Sequence, residues 1–273
     1  MTLAVAALFP WPELLDSLPE PVKAILQTFP RHQPAPAILM TADSRWSYFD
    51  GSNLTRVDNG GVKIGLIHEH AIGAFAGDVA AGQRALGGLR AAFVDNSVET
   101  VDPQEIFRSV WRNHGRRDGQ LSVCLGLIDA VNTARLFRYD LSDHFAGKEI
   151  GGIEALGAPE AITEFTSRLS DEVKRWTSEP ASLAVALHPE HWSTIIATTV
   201  WRICHQAVQR TVGGPIQSAI LTTRGAEGRA LWLVDPSDDE PQARRVSLTP
   251  EEVEEFYERQ REHGWRGRSA IRT

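Results

Sequence analysis

The run Ala37-Ile38-Leu39-Met40-Thr41-Ala42-Asp43 reads as a strand that ends on a carboxylate. It is short, apolar and followed at once by the polar pair Ser44-Arg45, as a buried strand bounded by a turn should be. Working outward, residues 2–9 are continuously apolar with small side chains and read as a strand buried on both faces. Between these strands the character changes. Seven of the fifteen prolines fall within residues 10–36, around an amphipathic stretch carrying Leu14, Leu15, Leu18, Val22, Ile25, Leu26 and Phe29. This segment reads as an insertion of short helical turns broken by prolines.

Downstream, Asp50-Gly51 and Asn59-Gly60-Gly61 are turn signals. Val62–Ile67 and Ala71–Ala76 read as strands separated by the polar His68-Glu69-His70. The period then becomes helical from Val79 to Phe93. Asp102 with Pro103 behind it opens a second helix, as N-cap and first helical residue. Strands are expected over 121–128, 134–139 and 148–155, helices over 160–177 and 189–210, and strands over 216–222 and 229–234. A capped helix beginning at Thr249-Pro250 is expected to close the chain as a helical extension over 249–273. Runs of strands and pairs of helices are segregated rather than alternating, so the pattern predicts a layered α+β fold. All of it fits one domain of 273 residues enlarged by the 10–36 insertion.

Composition excludes several classes. Hydrophobic residues make up 42% and charged residues 23%, enough for a full core without a disulfide or metal. The net charge of -7 argues against a basic nucleic-acid binder. The two cysteines, Cys124 and Cys204, lie far apart in apolar surroundings and show no metal-binding spacing. They read as buried thiols of a reducing, cytoplasmic compartment. The start lacks a basic segment and meets Pro10 and Pro12 at once, so no signal peptide is expected, and no apolar run is long enough for a membrane span. His68 with His70, and His188 with His191, are pairs that fall short of a metal site. No cofactor is expected. Arg112, Arg116 and Arg117 read as a solvated basic cluster at a helix end.

One count stands out. Only four of the 28 basic residues are lysines: Lys23, Lys63, Lys148 and Lys174. A lysine at any particular place is therefore improbable by chance. Thr2 follows the initiator Met, and a small residue there generally permits Met1 removal. A terminal threonine carries a hydroxyl nucleophile and an α-amine whose pKa of about 7.7–8.0 suits a base.

Thr2 at the start, Thr41-Ala42-Asp43-Ser44-Arg45 at a strand end, Lys63 beginning another strand and Phe75-Ala76-Gly77-Asp78 before a helix together resemble one family. It is the N-terminal nucleophile hydrolases of the proteasome β-subunit and bacterial proteasome-like peptidase type. The resemblance implies a four-layer αββα sandwich. It implies Thr2 as nucleophile and base, Lys63 beside it to stabilise the alkoxide, and Asp43 as counter-charge to Lys63. It further implies the Gly77 N–H as oxyanion donor, Ser47 on the substrate backbone and Phe75 lining the pocket beside the nucleophile. A peptide or protein substrate and a homo-oligomer in a closed ring belong to the same implication; nucleic acid and membrane do not. The 10–36 insertion replaces a short turn of the family and offers a docking place for an ATP-dependent unfoldase or another partner.

The chain also departs from the family. Ala158 follows Gly157 where the family carries a serine, Gln209 stands in place of an aspartate, and Val212 in place of a serine before Gly213-Gly214. These changes keep a second expectation open: a proteasome-like subunit that builds an assembly without cutting.

Overall fold

The computed structural model describes residues 2–28, 34–50, 53–58, 62–95, 100–114, 119–178, 186–205, 216–223, 230–234 and 244–246. Outside these lie several positions singled out above: Met1, the turn at 59–61, Arg116, Arg117, Gln209, Val212 and the helix expected from Thr249.

The apolar opening forms β1 (Leu3–Phe9), and the Ala37 run forms β2 (Ala37–Asp43). They pair antiparallel, with Ala4 opposite Ala42. Both are buried, with Leu8 alone partly exposed among their residues, because each face of their sheet is covered. Leu3, Val5, Ala7 and Phe9 enter one apolar layer. Ala4 and Ala6 enter another. A strand covered on both sides cannot alternate apolar with polar, which is why these runs are continuous. The intervening segment contributes α1 (Pro12–Asp16) and α2 (Glu20–Thr28). Trp11, 1% exposed, sets its ring edge-on to Trp192 at 5.0 Å and seats the insertion on the core.

After β2 comes a hairpin, β3 (Trp46–Asp50) with β4 (Asn53–Asp58). Next follow β5 (Ile64–His68), β6 (Ala71–Gly77), α3 (Val79–Asp95) and α4 (Pro103–His114). The Asp102 carboxylate accepts the Gln104 N–H at 3.0 Å, so the cap and the first-turn proline are as the sequence suggested. The chain continues through β7 (Leu121–Ile128) and β8 (Ala134–Asp140). The segment expected as one strand over 148–155 is two, β9 (Lys148–Ile150) and β10 (Ile153–Gly157), parted by Gly151-Gly152 and placed in different sheets. Then come α5 (Pro159–Ser178), α6 (Pro189–His205), β11 (Ile216–Thr222), β12 (Ala230–Val234) and β13 (Arg244–Val246).

Two antiparallel sheets result. The first runs β10-β1-β2-β11-β12-β13, the second β5-β6-β7-β8-β9. One apolar layer, with Ile38, Met40, Ile72, Ala74, Cys124 and Leu136, lies between them. Phe165, Leu169, Trp192 and Val200 of α5 and α6 cover the outer face of the first sheet. Ala81, Leu86, Leu89 and Phe107 of α3 and α4 cover the second. The fold is thus mixed α and β, with two antiparallel sheets and flanking helices. Among the described residues no helix is long and apolar enough to cross a membrane.

One polar cluster interrupts the layer under α6. Ser218 donates to the Met40 carbonyl at 3.2 Å. Its oxygen lies 2.8 Å from the Thr41 hydroxyl and 3.1 Å from that of Ser193. With its proton on Met40, Ser218 is the acceptor for both neighbours. Ser218→Ala therefore orphans two buried hydroxyls, and chemical denaturation should show a loss of about 1–3 kcal/mol. A loss below about 0.5 kcal/mol would mean that the trio is not a closed network.

Candidate active site

The β1–β2 register brings Leu3 beside Asp43, the last residue of β2. The Leu3 N–H donates to Asp43 Oδ1 at 2.8 Å. Lys63 Nζ donates to the same oxygen at 2.9 Å. The Arg45 N–H donates to Oδ2 at 3.1 Å. One carboxylate thus gathers the Leu3 N–H at the head of β1, the Arg45 N–H just beyond β2 and the ammonium of Lys63, the residue before β5. Asp43 and Lys63 are both fully buried. Such burial is tolerable only because the charges are paired and hydrogen-bonded.

Lys63 Nζ also donates to the Arg45 carbonyl at 2.5 Å. Burial pushes the Lys63 ammonium below the usual lysine range, and the charge and hydrogen bond of Asp43 oppose that fall. Cys204, at the end of α6, is within electrostatic reach of both. Cys124 is buried as expected but Cys204 only half-buried; the packing around the Cys204 thiol still excludes enough water to raise it well above the usual cysteine range, so it stays protonated and is a poor nucleophile. The Lys63 N–H is taken by the side-chain oxygen of Gln217 at 3.0 Å.

Thr2 is 4% exposed. Its carbonyl accepts the Ala158 N–H at 2.9 Å. The adjacent Gly157 has φ +124°, and a Cβ there would lie 1.5 Å from the Thr2 oxygen. Only glycine allows this approach. The Ala158 methyl is itself buried in the layer beneath α5 and α6. Position 158 therefore holds Thr2 through its backbone and offers no side-chain hydrogen bond.

Gly77 ends β6 and is exposed. The Phe75 N–H donates to the Lys63 carbonyl, while the Asp78 N–H donates to Gln120 on the other side. Strand amides alternate sides. The Gly77 N–H therefore faces the Lys63 side, one pleat beyond Lys63. Its φ of +110° and the nearness of the Gln120 carbonyl both require glycine. Phe75 is 1% exposed and packs against Gly82, so its ring belongs to the core between the second sheet and α3. Ser47 is half-buried on β3, opposite Val57. It lies two residues beyond Arg45, whose carbonyl accepts a hydrogen bond from Lys63 Nζ.

The structure thus brings Asp43, Lys63 and the residue after Thr2 into direct contact. The sequence reading missed Gln217, and it singled out Gly157 and Ala158 without the hold their backbone has on Thr2. A neutral glutamine on a strand carries no motif, and backbone donors leave no trace in residue types. The histidine pairs behave differently: His191 sets its ring edge-on to Trp176 at 4.1 Å, and the His68 and His70 rings lie 5.7 Å apart. Among the described residues no group of three or more His, Cys, Asp or Glu is placed to hold a metal ion. No protein-family model matches the chain, and comparison with curated proteins finds no match.

Proposed function

We propose that this chain is a threonine-type N-terminal nucleophile hydrolase of the proteasome-like kind, cutting peptide or amide bonds. The observation that supports it most is the buried Asp43–Lys63 pair hydrogen-bonded to the N–H of Leu3, the residue after Thr2. A buried lysine is costly, and this fold spends one of its four beside the chain start. On this reading the two sheets with their flanking helices are the αββα sandwich of that family.

Removal of Met1 converts the Thr2 amide nitrogen into an amine. Thr2 Oγ attacks the substrate carbonyl carbon and passes its proton to that amine. The Lys63 ammonium lowers the cost of negative charge on Oγ. The tetrahedral oxyanion accepts the Gly77 N–H, a contact of the kind that contributes about 10²–10³ in rate. The amine then protonates the leaving nitrogen as the C–N bond breaks, which leaves an ester on Thr2. Water, deprotonated by the same amine, attacks that ester, and Thr2 and the acid product are released. Ser47 aligns the substrate backbone, while Phe75, whose ring is in the core under α3, supports the pocket wall from behind. Ring-shaped homo-oligomers and an ATP-dependent unfoldase belong to this reading on the resemblance alone.

The buried Ala158 methyl favours a second reading, an assembly subunit that does not cut, because the Thr2 amine gains no hydroxyl partner from that position. Intact mass and a threonine-directed epoxyketone separate the two. The purified chain should lack Met1 and take up one probe, mapped to Thr2, and Thr2→Ala should take up none. Retained Met1, or a free Thr2 that does not react, would leave only the assembly reading.

A further inference from the structure

We propose that Gln217 is a positioning residue for the Lys63 ammonium. Its side-chain oxygen draws the Lys63 N–H out of the strand ladder and so turns the Lys63 side chain toward Asp43. The role of Lys63 in catalysis rests on the reading above; the positioning itself does not.

The backbone shows the diversion. The Phe75 N–H donates to the Lys63 carbonyl at 3.1 Å. In an antiparallel ladder, residues facing each other this way exchange two bonds. Here the second is not made: the Lys63 N–H donates instead to Gln217 Oε1 at 3.0 Å. The ladder of β5 with β6 accordingly begins one residue later, at Ile64 opposite Ala74.

Gln217 acts from the other sheet. It stands on β11 opposite Ala42, the residue before Asp43. Its neighbours on the same face, Ala219 and Leu221, point into the layer between the sheets. At 4% exposure it is a buried amide in an apolar setting. Two adjacent strands of the first sheet thus hold the residue that leads into the second. β11 holds the Lys63 backbone through Gln217, and β2 holds its side chain through Asp43. Without an acceptor at 217 the Lys63 N–H would be buried and unpaired, or would return to the ladder and carry the side chain with it.

The choice of a neutral acceptor has its own chemistry. The charged and titratable groups acting on Lys63 are Asp43, Arg45 and Cys204. An amide at 217 holds the backbone and adds no second carboxylate. Glutamate would keep an acceptor but would favour the ammonium, so Lys63 would titrate at higher pH.

The test is competitive acetylation of the full-length chain with acetic anhydride across pH, read at Lys63 by peptide mass spectrometry. Thermal unfolding and the epoxyketone rate at Thr2 are followed in parallel. Lys174, with its side chain 74% exposed, is the internal reference. In Gln217→Met, Lys63 should acetylate about tenfold faster or more, the scale of a lost hydrogen bond to a buried group. In Gln217→Glu, Lys63 should stay protected and its titration should move up by about one pH unit. Wild-type acetylation of Lys63 in a folded Gln217→Met would overturn the proposal. If that variant does not fold, Gln217→Glu decides: an unchanged Lys63 titration overturns it, an upward shift supports it. If Thr2 is inert in the wild type, the peptidase reading fails, while the acetylation profile still judges the positioning.

Discussion

Lys63→Met should cost about 3–5 kcal/mol of stability and, on the proposed peptidase reading, abolish epoxyketone labelling of Thr2. The size follows from what is left behind. Asp43 is fully buried and accepts the Leu3 and Arg45 N–H groups and the Lys63 ammonium. Deleting the ammonium strips a buried carboxylate of the cation hydrogen-bonded to it. Methionine fills much of the lysine stem's volume, so the cavity term stays small and the electrostatic term dominates. Asp43→Asn in the Lys63→Met background removes the stranded charge, so the double variant should be more stable than Lys63→Met alone. Urea unfolding of the four proteins closes this cycle, and a Lys63→Met variant within about 1 kcal/mol of wild type would show that the pair is not the buried unit described here.

Lys63 also sets a pH dependence. Burial lowers its pKa in the folded chain below the ordinary value of 10.5. Between the lowered value and 10.5 the unfolded chain binds a proton that the folded chain does not. Stability contributed by this group therefore rises with pH across that window. Lys63→Met lacks the group, so the gap between wild type and variant should widen as pH climbs toward 10.

What the sequence made legible follows from what each residue must do alone. β1 and β2 announce themselves because both faces are buried, which forces unbroken apolar runs. α5 shows through Phe165, Leu169 and Val173, four residues apart on its buried face. The β3–β4 hairpin was foreseen only as a turn, because Trp46-Ser47-Tyr48-Phe49-Asp50 makes no clean alternation with its bulge between Tyr48 and Phe49. The change of sheet at Gly151-Gly152 was invisible, since residues 148–155 fit one strand equally well. At the site, Asp43 and Lys63 could be picked out by a strand-ending carboxylate and a scarce cation. Gln217 could not, because its role exists only once β11 has paired with β2. The hold on Thr2 is made by an amide, which every residue but proline possesses.

That hold is where the second large effect is expected. Gly157→Ala should cost about 3 kcal/mol, the upper end for a backbone forced into an unfavourable region. At φ +124° a side chain is strained whatever the space around it, and the space is already taken: a Cβ would lie 1.5 Å from the Thr2 oxygen and 2.5 Å from its carbonyl carbon. Both are backbone atoms next to the paired residues Leu3 and Gly157, so no side chain can swing aside to relieve the clash. Either the β1–β10 pair opens at its end or residue 157 changes conformation. Both outcomes break the 2.9 Å bond from the Ala158 N–H to Thr2. Thr2 then loses the contact that fixes it relative to Asp43 and Lys63. If Thr2 is the nucleophile proposed above, a displacement of about 1 Å can lower its rate about 10²-fold, so epoxyketone labelling should slow by that order. Gly151→Ala is the control, because a Cβ at that position meets nothing within 4 Å. It should shift stability by less than about 0.5 kcal/mol and leave labelling unchanged. If the two variants unfold together and label alike, Gly157 is an ordinary turn glycine and Thr2 is not held from this strand.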